Sequence, residues 1–134
     1  MLAVDSSALI AILNREPEGP QFLDALHGGR AIIGWPTVFE TRIWSLRRSD
    51  HGRSVWLEAF LDGVAQAVAF DGELERLAAS AYERFGKGRH PAALNFGDAM
   101  TYAVAVRHDA PLLFKGSDFG KTDVKVHRGS VALG

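Results

Sequence analysis

Four acidic residues stand at edges between an apolar segment and a turn or helix start: Asp5, Glu40, Asp98 and Asp118. Carboxylates gathered at one point repel each other and need a counter-charge. A divalent cation supplies it, and an all-oxygen donor set favours Mg²⁺ or Mn²⁺ over zinc. Magnesium keeps several of its waters, so a few carboxylates suffice and a substrate phosphate completes the shell. Such a centre hydrolyses phosphate esters by activating a water and stabilising charge on the phosphoryl oxygens. Each acid also has a plain structural role open to it. Asp98 fits a helix N-cap, Glu40 a first-turn residue complementing the helix dipole, and Asp5 a turn or cap. Spacing by itself does not bring the four together.

Other chemistries find less support. The chain has no cysteine, so thiolate metal sites, thiol nucleophiles and disulfides are excluded. The five histidines (His27, His51, His90, His108, His127) show no ligand spacing. There is no GxxxxGK[ST], GxGxxG or GxSxG motif, and nothing pairs a serine with a histidine.

The elements that must position the acids alternate between strand and helix. Leu2-Ala3-Val4 reads as a buried first strand ending in Asp5, with Ser6 or Ser7 capping a helix through Leu13. A second helix is predicted over Gln21–Leu26, and a second strand over Ala31–Trp35. Pro36-Thr37 opens a helix carrying Glu40 about one turn in, on the same face as Trp44. The stretch from Arg47 to Arg53 is a polar, basic connection, either solvated or in contact with RNA. A helix over Val55–Leu61 follows, then a near-edge strand over Ala65–Phe70 and a long amphipathic helix over Glu73–Phe85. The breaker-rich segment Gly86-Lys87-Gly88-Arg89-His90-Pro91 leads to Asn95-Phe96-Gly97-Asp98, where an apolar helix starts and runs to about His108-Asp109. A fourth strand over Pro111–Phe114 precedes Asp118, and Val124–Val126 reads as a last short strand. This alternation predicts an α/β fold with a central parallel sheet of four to five short strands flanked by helices, as one domain over residues 1–134.

Length and composition suit one hydrophobic core, with 134 residues of which 47% are apolar. No apolar run approaches the roughly 18 residues of a membrane span. The first residues lack a basic segment followed by an apolar core, so the cytoplasm is the expected location. Net charge is only −1, but residues 84–134 hold eight Lys or Arg against Asp98, Asp109, Asp118 and Asp123. An acidic spot in a basic field suits a cation-dependent enzyme acting on a polyanion, and an ordinary solvated surface has the same composition.

The sequence resembles PIN-domain proteins, and specifically the VapC-like toxins of bacterial VapBC toxin–antitoxin systems. Leu2-Ala3-Val4-Asp5-Ser6-Ser7 resembles the opening strand and first acid, and Pro36-Thr37-Val38-Phe39-Glu40 the second acid on its helix. The run from Ala93 to Ala103, containing Asp98, is similar to the family's most recognisable segment. Leu112 to Phe119, followed by Thr122-Asp123-Val124, resembles the closing motif. The likeness spans the chain in the right order. It implies a PIN-like fold and a Mg²⁺- or Mn²⁺-dependent endoribonuclease. Asp5 and Asp98 would be the principal metal ligands, Glu40 and Asp118 would complete the pocket, and Asp123 would stand behind it. Ser117 replaces an acid the family often carries before its Asp-Phe pair. Ser7 fits either a helix cap or a contact to a ligand or phosphate. The resemblance further implies an RNA substrate such as tRNA or rRNA, a cognate VapB-like antitoxin, and a homodimer. Trp35, Trp44 and Trp56 would line the antitoxin's apolar groove or else belong to the core.

Two other readings share these residues. A receiver-like phospho-signalling domain would use a strand-end Asp with Lys115, but it needs an acidic pair after the first strand where only Asp5 is found. A non-catalytic nucleic-acid- or antitoxin-binding module would have no need of all four acids.

Overall fold

The computed structural model describes residues 1–48 and 51–134; Ser49 and Asp50, within the predicted basic connection, lie outside the described residues. The elements in order are β1 (Leu2–Val4), α1 (Ser6–Leu13), α2 (Gly19–His27), β2 (Ala31–Gly34), α3 (Trp35–Leu46), α4 (His51–Gly63), β3 (Ala65–Val68), α5 (Gly72–Phe85), α6 (Phe96–Arg107), β4 (Leu112–Leu113), β5 (Lys115–Gly116), a 3₁₀ turn (Phe119–Lys121) and β6 (Val131–Ala132).

Four strands form a parallel sheet in the order β3-β2-β1-β4. The chain moves outward from β1 through β2 to β3 and then returns to the other side of β1 for β4. That reversal creates a switch point at the carboxyl ends of β1 and β4, where open α/β sheets leave a crevice. Asp5 follows β1 directly and donates its backbone N–H to Leu113 of β4.

The strands are buried on both faces, and their two-residue period sorts the core. Ala3, Ile32 and Leu112 face α5 and α6, where they pack with Leu74, Ala81, Tyr102 and Ala103. Leu2, Val4, Ala31, Ile33 and Leu113 face the opposite way, toward Leu9, Phe22, Leu26, Leu57 and Phe60 of α1, α2 and α4. A sheet covered on both sides explains why these strands read as continuous apolar runs without alternation.

Two expectations change at the carboxyl end of the chain. The predicted strand over Val124–Val126 makes only a single bridge, Leu112 to Val126. The chain then turns, with Gly129 N–H donating to His127 Nδ1 and Ser130 N–H to the His127 carbonyl. The pairing falls instead to Val131–Ala132, which joins Lys115–Gly116 in a separate two-stranded sheet. The central sheet therefore has four strands, the lower end of the predicted range. The breaker-rich segment before α6 is also more ordered in its bonding than its composition suggests. Lys87 N–H donates to the Leu94 carbonyl, Leu94 N–H to that of Phe85, and Ala92 N–H to His90 Nδ1.

A polar cluster ties α5, α6 and the closing segment together. Tyr102 Oη donates to Asp123 Oδ1, and the Arg84 guanidinium donates to Tyr102 Oη at 2.9 Å and to Asp123 Oδ2 at 3.3 Å. Asp123 is committed to this cluster. Its partners Tyr102 and Arg84 hold its carboxyl below the usual carboxylate range. Removing the phenol in Tyr102→Phe is expected to lower the unfolding free energy by about 1 kcal/mol, since the cluster is partly exposed. Urea unfolding at unchanged m-value reads this out, and an unchanged midpoint would show that the cluster holds nothing together.

Candidate metal centre

The four predicted acids come from four places in the fold and are neighbours in pairs: Asp5 with Glu40, Asp5 with Asp98, and Asp98 with Asp118. Asp5 is the residue between β1 and α1, and it is only 4% exposed. Its side chain caps α1 by accepting Ser7 N–H at 3.0 Å. The predicted cap was Ser6 or Ser7; the chain uses Asp5, because Asp5 keeps the extended backbone of the strand while Ser6 is already helical. Ser7 is neither cap nor exposed contact. Its hydroxyl accepts Lys115 N–H at 3.0 Å and hydrogen-bonds Asp5, which braces α1 against β5. The hydroxyl of Thr101 on α6 also reaches Asp5.

Asp98 sits at the third position of α6. The cap proper is Asn95, whose side chain accepts Asp98 N–H at 2.8 Å, while Asp98 Oδ2 accepts Asn95 N–H at 3.1 Å. This reciprocal box satisfies two unpaired helix donors and fixes where the Asp98 carboxylate points. The remaining oxygen is available to the pocket, where the neighbouring Asp118 raises the proton affinity of Asp98. Asp118 precedes the 3₁₀ turn and makes no capping bond of its own. Glu40, on α3, accepts a 2.6 Å hydrogen bond from Ser6 Oγ. Gly97 lets Glu40 lie against the start of α6, because any β-carbon there would collide with the Glu40 carboxylate. Buried hydroxyls join the two helices behind the acids, with Thr37 Oγ1 and Thr101 Oγ1 3.1 Å apart.

Burial pushes the carboxyls of Asp5 and Glu40 up, and Asp5 repels Glu40 further. Asp98 is raised to about 7, first by burial and then by the charges of Asp5 and Asp118, against the lowering effect of the Asn95 backbone. Among the described residues none of the four acids forms an ion pair. Nearby cations are spent elsewhere. Lys115, the first residue of β5, bonds Glu16 at 2.6 Å and Glu18 at 3.0 Å. Of the eight basic residues after position 83, Arg84, Arg107, Lys115 and Lys125 are all in ion pairs, so the predicted basic field is about half neutralised. Among the described residues, no three acids or imidazoles stand together closely enough to enclose a cation by themselves.

Asp5 thus stands beside Glu40 and Asp98, and Asp98 beside Asp118, whereas Asp123 is bonded to Tyr102 and Arg84. Sequence reasoning missed Ser6, Gly97 and Thr101. Thr101 carried a signal, as a hydroxyl three residues after Asp98 in an otherwise apolar helix. The tryptophans take three separate roles. Trp35 is exposed at the start of α3, Trp44 lies under the Arg48 guanidinium, and Trp56 stacks on Phe60 against the core.

A raised carboxyl pKa means the folded state holds its proton more tightly than the unfolded chain. Stability from this source is full below about pH 4 and is lost as pH rises to about 7. In EDTA, Asp98→Asn, which can keep the capping box, is expected to stabilise the protein by about 1–2 kcal/mol at pH 8 and by little at pH 4. Denaturant melts at the two pH values check this; an equal effect at both would contradict the electrostatic account. Gly97→Ala is expected to leave the fold intact while pushing Glu40 away from Ser6, with a lower kcat for any reaction at this pocket. An unchanged kcat would show that the position of Glu40 does not matter.

A family model described as PIN domain matches residues 2–125. Among curated proteins, a ribonuclease VapC from Mycolicibacterium smegmatis is 38% identical over 129 residues, covering 92% of this chain and 97% of that protein. Ribonuclease VapC30 of Mycobacterium tuberculosis is 34% identical over 125 residues, covering 92% and 95%. Among solved structures, VapC20 of Mycobacterium tuberculosis, described as a sarcin-ricin loop cleaving toxin, aligns with a TM-score of 0.74 at 19% identity, covering 92% of this chain and 96% of that one. A toxin–antitoxin complex from Klebsiella pneumoniae aligns at 0.72 and 16% identity, covering 95% and 97%.

Proposed function

The chain belongs to the PIN-domain family, among its VapC ribonucleases, and on that premise we propose that it is an endoribonuclease toxin hydrolysing RNA phosphodiester bonds with a bound Mg²⁺ or Mn²⁺. The observation that carries the reading is that Asp5 has Glu40 and Asp98 as charged neighbours and Asp98 has Asp118, and that among the described residues none of the four is in an ion pair.

Asp5 and Asp98 would be the principal ligands, with Glu40 and Asp118 completing the pocket. Bound there, the ion would acidify a water and neutralise charge building on the scissile phosphate. The protein's own contribution is orientation. Ser7 N–H and Asn95 N–H each hold one carboxylate oxygen, so Asp5 and Asp98 present a fixed second oxygen. Ser6 holds Glu40 in the same way. The raised affinity of Asp98 for a proton means that cation and proton compete for it near neutral pH.

The receiver-like reading needs a lysine free to face the acids, and Lys115 is bound to Glu16 and Glu18 instead. A non-catalytic module has no use for carboxylates kept desolvated at a cost in stability. Solved structures of the same fold include the Klebsiella pneumoniae toxin–antitoxin complex and a VapBC pair of Rickettsia felis bound to promoter DNA. These support a cognate VapB-like antitoxin as partner, and the same membership supports a homodimer. Among the described residues no helix is long and apolar enough to cross a membrane, which suits action in the cytoplasm.

Total cellular RNA treated with the purified protein is expected to yield discrete fragments in Mg²⁺ or Mn²⁺ and none in EDTA. Asp98→Asn is expected to lower cleavage by at least about a hundredfold, the scale of losing metal-assisted charge stabilisation. Cleavage by Asp98→Asn at the wild-type rate would refute the assignment.

A further inference from the structure

Glu40 and Ile43 line two different depressions that follow one another along α3. Toward the start of the helix and α6, Pro36, Phe39, Ile43, Phe96 and Met100 enclose an apolar cleft of about 460 Å³ with Glu40 at its edge. Phe39 is 62% and Phe96 80% exposed. Phe96 is the first residue of α6, two positions before Asp98, and its ring has little protein to pack on. Toward the end of the helix and α1, Ser6, Ile10, Ile43, Trp44, Arg47 and Arg48 line a groove of about 650 Å³ that mixes apolar surface with two guanidinium groups. The Arg48 guanidinium lies 3.6 Å over the Trp44 ring and donates to the Trp44 carbonyl. Among the described residues neither Arg47 nor Arg48 forms an ion pair.

The two depressions differ in chemistry as the two parts of a nucleotide do. Single-stranded RNA is recognised by stacking unpaired bases on aromatic rings and by pairing its phosphates with basic side chains. We propose that the Phe39–Phe96 cleft stacks an unpaired nucleobase next to the scissile bond while Arg47 and Arg48 hold the phosphates on the far side of Glu40. This rests on the ribonuclease reading and adds to it which residues grip the strand. The strand then runs along α3 past Glu40, so the scissile phosphate is carried past the acids. Two unpaired guanidiniums flanking an acidic pocket suit a polyanion better than an apolar protein helix, which would leave both charges buried without partners.

The test measures binding in EDTA of a short fluorescent oligoribonucleotide and of a ribose–phosphate oligomer of equal length without bases. Phe39→Ala/Phe96→Ala is expected to weaken binding of the base-bearing strand about tenfold or more and to leave the abasic strand unchanged. Phe96→Trp alone should retain full affinity. Arg47→Ala/Arg48→Ala should weaken both strands and flatten the salt dependence. Equal binding of the base-bearing strand by the aromatic double variant and wild type would overturn the proposal, as would equal loss on both strands. So would unchanged RNA binding accompanied by lost inhibition by the cognate antitoxin, which would assign the cleft to a protein. Cleavage in Mg²⁺ is measured in parallel: wild type that binds but never cuts RNA would count against the nuclease reading, whereas wild-type cutting with an indifferent double variant would count against the cleft alone.

Discussion

Desolvated carboxylates held near one another, none of them in an ion pair among the described residues, are the constraint around which this molecule is built. Burial raises the proton affinity of Asp5, Glu40 and Asp98; the charge of Asp5 raises that of Glu40 further, and the charges of Asp5 and Asp118 that of Asp98. Folding alone would not favour such a cluster, because each carboxyl loses hydration and gains a like-charged neighbour. A divalent cation bound there would change the sign of both effects, and this is why the proposed metal would stabilise the fold.

The rest of the structure keeps the acids from escaping. Asp5 is fixed by the strand it ends and the helix it caps. Asp98 is fixed by the reciprocal box with Asn95, which in turn follows a segment stapled to the end of α5. Glu40 reaches the site because Gly97 leaves room for it and Ser6 holds it there. Behind these lie a sheet packed on both faces and a hydroxyl contact between α3 and α6. Rigid support matters because acids free to rotate would turn outward to water and lose the arrangement a metal needs.

Much of this was legible in the sequence, for identifiable reasons. The strands were readable because a doubly covered sheet leaves continuous apolar runs such as Leu2–Val4 and Ala31–Gly34. The four acids were readable because each follows an apolar run or opens a helix, which is where a switch point collects side chains. What the sequence hid depends on contacts between distant segments. Nothing local says that Ser6 bonds Glu40, that Ser7 meets Lys115 across 108 positions, or that Lys115 is taken by Glu16 and Glu18. The roles of Asn95 and Asp98 were blurred for a different reason: the two residues cap the same helix reciprocally, and either alone resembles the cap. The last strand was misplaced because Val124–Val126 has the β-branched composition of a strand, yet the turn at His127–Ser130 ends its pairing after one bridge.

The most direct test of the account is whether the acids bind a cation in exchange for a proton. Calorimetric titration of Mn²⁺ near pH 7, in two buffers of different ionisation enthalpy, counts the protons released. The account predicts saturable binding with proton release from wild type, and loss of both with Asp98→Asn. Saturable binding that is unchanged in Asp98→Asn, or no binding to wild type at all, would contradict it.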